Sequence, residues 1–150
     1  MIIDLKAIKQ KGLEEKQFSF EYNAPETLIS LPNAKFKTAV VIDCLVEVYK
    51  NEAYVSGKIN YSINGECSRC LSPASIDRVI EFDEKFVPLG LATEEDENTY
   101  DRERIDLTSL INQLILTDMP FAIYRREDCL GLCPNCSKNL NNGECNCEKI

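Results

Sequence analysis

Val40-Val41-Ile42-Asp43-Cys44-Leu45-Val46-Glu47-Val48-Tyr49 decides the fold, because Val40, Ile42, Cys44, Val46 and Val48 recur at every second position. That is the period of a β-strand with one apolar face. Asp43, Glu47 and Tyr49 take the other face with Val41 and Leu45, so that side is expected to be partly covered. Lys50-Asn51-Glu52 reads as a turn. Beyond it Ala53, Val55, Gly57, Ile59, Tyr61 and Ile63 resume the alternation against Tyr54, Ser56, Lys58, Asn60, Ser62 and Asn64. Two such runs joined by a short polar link predict an antiparallel hairpin with one buried face. Ile76, Ile80, Phe82 and Phe86 are in phase for a third strand, which makes a meander the natural core.

Working outward from this core, Leu5, Ile8 and Leu13 sit among lysines, and Phe18, Phe20 and Tyr22 alternate like a short strand. Pro25 and Pro32 bracket a turn or loop. Residues 1–34 are therefore expected to pack on the downstream strands rather than fold alone. Further along the chain, residues 93–106 carry seven acids and two arginines. Like charges repel and solvate, so this stretch reads as an acidic loop; the sharper reading is an arm whose Glu94, Glu95, Asp96 and Glu97 dock a basic protein. Leu107, Leu110, Ile111, Leu114 and Ile115 then stack on one stripe of a helix over 105–118. Asp106 is its expected N-cap, and Pro120 ends it.

The fold expected is α+β and β-dominated: an antiparallel sheet or partial barrel with one amphipathic helix. It divides into a β-rich domain over 1–128 and a Cys-rich segment over 129–150, packed on it and closing as a zinc knuckle.

Composition narrows the chemistry. With 25 acids against 17 bases the formal charge is -8, which argues against the broad basic surface that duplex DNA binding needs. The chain has eight Cys, no His and no Trp. Without His, neither Ser-His-Asp nor Cys-His catalysis is available, and a metal site must use thiolates or carboxylates. Met1-Ile2-Ile3-Asp4-Leu5-Lys6 begins no apolar leader, and no apolar run is long enough to cross a bilayer. A cytoplasmic chain with reduced thiols is the expectation, and closely spaced cysteines there point to metal rather than disulfides.

Seven of the eight cysteines fall in two places: Cys67-Ser68-Arg69-Cys70, at the turn after the second strand, and Cys129, Cys133, Cys136, Cys145 and Cys147 near the end. Cys44 stands apart on an apolar face and reads as a small core residue. Zn²⁺ takes four thiolates in a tetrahedron at about 2.3 Å, and two Cys separated by two residues can reach one ion from a single turn. Pro134 pre-sets such a turn between Cys133 and Cys136. Cys133, Cys136, Cys145 and Cys147 therefore form a self-contained candidate site for structural Zn²⁺, which would order a segment poor in apolar residues. Cys67 and Cys70 could instead join Cys133 and Cys136 in a zinc ribbon, and Cys67, Cys70 and Cys129 are the alternative ligands. Seven thiols do not make two complete four-thiolate sites. An iron–sulfur cluster shares this ligand chemistry, and a redox dithiol at Cys67 and Cys70 is the weaker alternative because no helix begins there to lower a thiol pKa.

Cys67-Ser68-Arg69-Cys70-Leu71 after a hairpin, Ile105-Asp106-Leu107 opening a helix, the Cys129-to-Cys136 run, Asn139-Leu140-Asn141 and Cys145-Asn146-Cys147 form an ordered series that resembles the YceD family, the large ribosomal RNA subunit accumulation proteins. The resemblance runs from about residue 35 to the end, and more loosely before. It implies a cytoplasmic, non-enzymatic ribosome assembly factor that supports accumulation or processing of large-subunit rRNA. The partners implied are the large-subunit precursor, through a basic ribosomal protein or rRNA, with no membrane and no small-molecule substrate. Ser137 stands where the family's knuckle usually has Gly.

The expected contacts are the acidic residues 94–97 on a basic protein and Arg69, Arg125 and Arg126 beside the cysteines, either on phosphate or offsetting thiolate charge. An enzyme reading is disfavoured, because a closed all-thiolate site offers no open coordination position. A zinc-ribbon transcription or signalling adaptor is the alternative.

Overall fold

The computed structural model describes residues 1–12 and 14–147. In chain order its elements are β1 (Ile2–Asp4), α1 (Leu5–Gln10), β2 (Glu15–Tyr22), β3 (Lys35–Phe36), β4 (Val40–Tyr49), β5 (Glu52–Glu66), β6 (Pro73–Pro88), β7 (Asn98–Tyr100), β8 (Arg104–Asp106) and α2 (Thr108–Asp118). Leu13 lies outside the described residues, as do 148–150 of the Cys-rich segment.

The alternation in β4 and β5 does what its period requires. Ile42 faces Ile59, Cys44 faces Gly57 and Val46 faces Val55 in an antiparallel ladder, and all of these positions turn to one face. Tyr49 pairs with Glu52, so the turn is only Lys50-Asn51, and Lys50 takes the left-handed conformation (φ 55°) that this tight reversal needs. β6 continues the meander with Ile59 opposite Ile80, Gly57 opposite Phe82 and Ala53 opposite Phe86. Val40, Ile42, Val46, Ala53, Val55, Ile59 and Ile63 are fully buried. Cys44 belongs to this core, where burial, then the nearby Asp43 charge, pushes its thiol up to about 11.

β2 lies along β4 with Phe18 opposite Cys44 and Phe20 opposite Ile42, so the N-terminal aromatics extend the same apolar face. The large sheet runs β2-β4-β5-β6-β7 with β3 on β5; it is an open sheet and does not close into a barrel. One edge departs from the antiparallel expectation, because β7 pairs with β6 in parallel. β1 and β8 form a separate two-stranded ladder, with Ile3 opposite Ile105.

Two sequence expectations are corrected here. The acidic stretch 93–106 is not one loop: β7 and β8 lie inside it, Tyr100 and Ile105 are buried, and Tyr100 donates its hydroxyl hydrogen to the Asn51 carbonyl at 2.6 Å. Charge density hid two buried residues that face opposite ways from their acidic neighbours. The helix starts at Thr108 rather than 105 because Ile105 and Asp106 are taken up in β8. Asp106 still acts at the helix start, accepting the Thr108 N–H at 3.0 Å, from one position before the cap residue Leu107. The apolar stripe itself holds, with Leu107, Leu110, Ile111 and Ile115 buried against the sheet.

At its far end, α2 is tied to the sheet through Asp118. It accepts from the Tyr61 hydroxyl at 2.7 Å and from two Arg78 nitrogens at 3.1 and 2.8 Å. Helix α1 carries little periodic signal among its lysines. Asp4 caps it by accepting from Lys6 and Ala7 N–H, and Leu5 and Ile8 are buried. No helix among the described residues is long and apolar enough to cross a membrane.

Candidate metal centre

β5 and β6 are joined by a turn that carries the first pair of cysteines. Within it the Leu71 N–H donates to the Cys67 carbonyl at 2.9 Å, the Cys67 N–H donates to the Ser72 carbonyl at 2.7 Å, and Leu71 has φ 63°. Cys133-Pro134-Asn135-Cys136 folds the same way. There the Ser137 N–H donates to the Cys133 carbonyl at 2.9 Å, the Cys133 N–H to the Lys138 carbonyl at 2.9 Å, and Ser137 has φ 61°. In both turns the first sulfur receives N–H groups from the residues two and three positions on: Arg69 and Cys70 for Cys67, Asn135 and Cys136 for Cys133. These are two copies of one thiolate-holding knuckle, built from sequences that share only their cysteines.

The seven clustered thiols divide into two groups. The sulfurs of Cys133, Cys136, Cys145 and Cys147 all lie within 4.8 Å of one another, as do those of Cys67, Cys70 and Cys129. Cys67 and Cys70 thus come together with Cys129 rather than with Cys133 and Cys136. Four thiolates about 2.3 Å from one ion would stand about 3.8 Å apart, so the four-thiol group fits a thiophilic metal ion with a small contraction. Cys133 and Cys145 are already 3.4 Å apart at sulfur.

The electrostatics suit ligation. Donated N–H groups from Cys136 and Asn135 bring the Cys133 thiol down to about 6, while hydrogen bonding to Cys136, then burial, pushes Cys147 up to about 12. At Cys67 burial opposes ionisation, but N–H groups from Arg125, Cys70 and Arg69 outweigh it and bring the thiol to about 6. One thiolate per group is readily formed, at Cys67 and at Cys133.

The C-terminal segment is held to the hairpin tip by backbone as well as by sulfur. The Ser68 N–H donates to the Ile123 carbonyl at 2.8 Å, and the Ile123 N–H donates to the Ser68 hydroxyl at 3.2 Å. Arg69 donates to the carbonyls of Glu127 and Cys129 at 3.2 and 3.1 Å and lies over the Tyr124 ring at 4.4 Å. Arg126 pairs with Asp128 at 3.1 Å and donates to Asn141 Oδ1. Arg125 is exposed, and its side chain pairs with no carboxylate among the described residues. Glu94, Glu95 and Asp96 are exposed, and Glu97 turns back to accept from the Thr93 N–H at 3.0 Å. These acids follow the far end of β6; its 16 residues place them up to about 50 Å from the cysteine knuckles at 3.3–3.4 Å per residue.

Three residues with no role assigned from sequence complete the site. Asn141 donates from Nδ2 to the Cys129 sulfur at 3.3 Å, while its Oδ1 accepts from the Leu130 N–H at 2.9 Å. Asn139 Oδ1 accepts both the backbone and the side-chain N–H of Asn141, at 3.0 and 2.8 Å. Gly131, with φ 79°, bends the chain between Cys129 and Cys133 so that each enters its own group. An Asn pair two apart beside a cysteine run was the available signal.

Against known proteins, the chain is 35% identical over 104 residues to uncharacterized proteins of Mycobacterium bovis (strain ATCC BAA-935 / AF2122/97) and of two Mycobacterium tuberculosis strains, CDC 1551 / Oshkosh and ATCC 25618 / H37Rv. The match takes in 66% of this chain and 50% of each relative, so the chain spans about half the length of the curated relatives it matches. No solved structure matches it. Residues 55–150, which hold most of β5, all of β6, α2 and both thiol groups, match the large ribosomal RNA subunit accumulation protein YceD, and the chain belongs to that family.

Proposed function

We propose that this chain is a non-enzymatic assembly factor of the large ribosomal subunit, acting in the cytoplasm by binding a precursor particle. The observation that carries the reading is the family match over residues 55–150, whose description names accumulation of large-subunit ribosomal RNA. Zn²⁺ bound by Cys133, Cys136, Cys145 and Cys147 is structural in this reading. When bound it supplies a redox-inert cross-link between the knuckle and the chain end, with no open position for a substrate.

The charge favours one of the two modes of contact. A chain at -8 is repelled overall by rRNA phosphates, so contact with a basic ribosomal protein through Glu94, Glu95 and Asp96 is the favoured mode. Arg125 is the arginine best placed for phosphate, because Arg69 and Arg126 are engaged within the chain.

Co-sedimentation of the tagged protein with large-subunit precursors tests the function; co-purification with RNA polymerase instead would favour the adaptor reading. Charge reversal of Glu94, Glu95 and Asp96 leaves Tyr100 and β7 in place, which deletion of the stretch would not. That variant is expected to lose precursor binding while Arg125→Glu weakens it modestly. The reverse ranking would make RNA the principal partner.

A further inference from the structure

We propose that Cys67, Cys70 and Cys129 form a second metal site, which binds one thiophilic divalent cation of the zinc class through three thiolates and takes its fourth ligand, a single oxygen donor, from solvent. The inference rests on the reading that thiols in this chain ligate metal, and it adds a site which that reading does not need.

The strongest observation is the duplicated knuckle. Cys67–Cys70 has the same pair of carbonyl hydrogen bonds, the same left-handed residue and the same two N–H groups on its first sulfur as Cys133–Cys136. A turn that spends a non-glycine residue at positive φ to present two sulfurs on one side is built for a ligand. In the second knuckle two further cysteines complete the set. In the first, Cys129 arrives from 62 residues downstream, its sulfur 3.7 Å from that of Cys67. That is the spacing of neighbouring thiolates on one ion of about 2.3 Å bond length.

Burial makes the same point. Cys67, Cys70 and Cys129 are 0, 5 and 4% exposed and form a small cluster of their own with Ala74 and Leu132 against it. A cluster this small is a poor hydrophobic core, yet it is where the C-terminal segment is fastened to the hairpin tip. Asn141 Nδ2 donates to the Cys129 sulfur, a contact that a thiolate accepts well and a thiol poorly. Among the described residues no fourth His, Cys, Asp or Glu joins the three sulfurs. The Asn141 oxygen is turned to Leu130 and Arg126, so it is not the missing donor.

Binding forms three S–metal bonds, each sulfur that still carries a proton releasing it to solvent, with no change of oxidation state. Three thiolates and a divalent cation leave one negative charge, beside which the Arg69 guanidinium sits on the Cys129 carbonyl. The near-complete burial of the three cysteines leaves no access for a substrate.

The test is metal stoichiometry and ligand type in the full chain. Protein equilibrated with Zn²⁺ and desalted is expected to hold about two zinc ions, with X-ray absorption giving about 3.5 sulfurs per zinc. Cys67→Ser and Cys129→Ser are each expected to fall to about one zinc, now with four sulfurs. If either variant fails to fold, Cd²⁺-loaded wild type decides, with two resolved ¹¹³Cd resonances expected, one of all-sulfur type. A single zinc lost on Cys136→Ser, with Cys67, Cys70 and Cys129 alkylated in native protein or two of them joined in a disulfide, overturns the second site and leaves the first. Two zincs both with four sulfurs overturn the solvent ligand. No zinc at all sinks this inference and the structural-zinc reading together.

Discussion

Leu71 and Ser137 occupy the same place in the two knuckles, at φ 63° and 61°, each donating its N–H to the carbonyl of the first cysteine four residues before. Both carry a Cβ in a region of backbone space that favours glycine. Ser137→Gly and Leu71→Gly are therefore expected to stabilise their knuckles by about 0.5–1 kcal/mol each, the relief of strain being partly offset by the freer unfolded chain. Leu71 is more than half exposed, so little packing is lost. Chelator competition should show slower metal loss from each Gly variant, whereas Ala at either position should show no gain.

Gly57 is the opposite case. It sits opposite Cys44 in the core ladder, and a Cβ there would run into the Asp43 carbonyl oxygen and the Cys44 backbone. The atoms met are backbone and cannot swing aside. Gly57→Ala is expected to destabilise the sheet by about 3 kcal/mol, the upper range for overpacking, without touching either thiol group. A loss of unfolding free energy in denaturant of less than a third of that would mean β4 and β5 can separate locally there.

The sheet was legible because its apolar period holds from Val40 to Val48 and again, after the turn, from Ala53 to Ile63, and a one-residue slip would turn Ile42, Ile59 and their neighbours out to solvent. α1 and β8 were not. Only six residues long, α1 has two buried side chains and a single cap, too few for a periodicity to stand out from its lysines. β8 is a three-residue strand whose one buried residue, Ile105, lies between Arg104 and Asp106. The four-thiol group was readable from local spacing. The assignment of Cys129 was not, because its position beside Cys67 depends on how far the chain travels after Pro120, which the Ser68–Ile123 hydrogen bonds fix.

Asp118 gives the protein a pH-dependent fastening. Arg78, and then Tyr61, hold its carboxyl below the usual carboxylate range against the opposing effect of burial. A depressed carboxylate contributes stability that is present above its unfolded pKa of about 3.9 and lost as pH falls through the folded value. Tyr61 has the opposite sign: burial and the bond to Asp118 raise its pKa, so its contribution is full below about 10 and is lost as pH rises beyond. Stability from this node should be flat between those limits. Asp118→Asn is expected to cost about 1–2 kcal/mol at neutral pH, a charged hydrogen bond discounted for the half-open Arg78, and to flatten the acid limb of the thermal unfolding curve. An unchanged acid limb would place the acid sensitivity in another carboxylate.

Arg69 and Arg125 are close in space to the same knuckle but differ in what they hold. Arg69 Nη1 reaches two carbonyls of the C-terminal segment while the planar guanidinium covers Tyr124, and a lysine ammonium has no flat face with which to do both. Arg69→Lys is therefore expected to loosen the segment between α2 and Cys129 by about 1 kcal/mol, from the lost stacking on Tyr124 and the poorer placement of the donor. Limited proteolysis around Arg125 and Arg126 should report it as faster cleavage. Arg125 reaches the site through its backbone N–H to Cys67, so Arg125→Ala should leave stability within about 0.5 kcal/mol. Should Arg69→Lys match wild type in proteolysis yet lose precursor binding, Arg69 would be a phosphate contact rather than a fastener of the C-terminal segment.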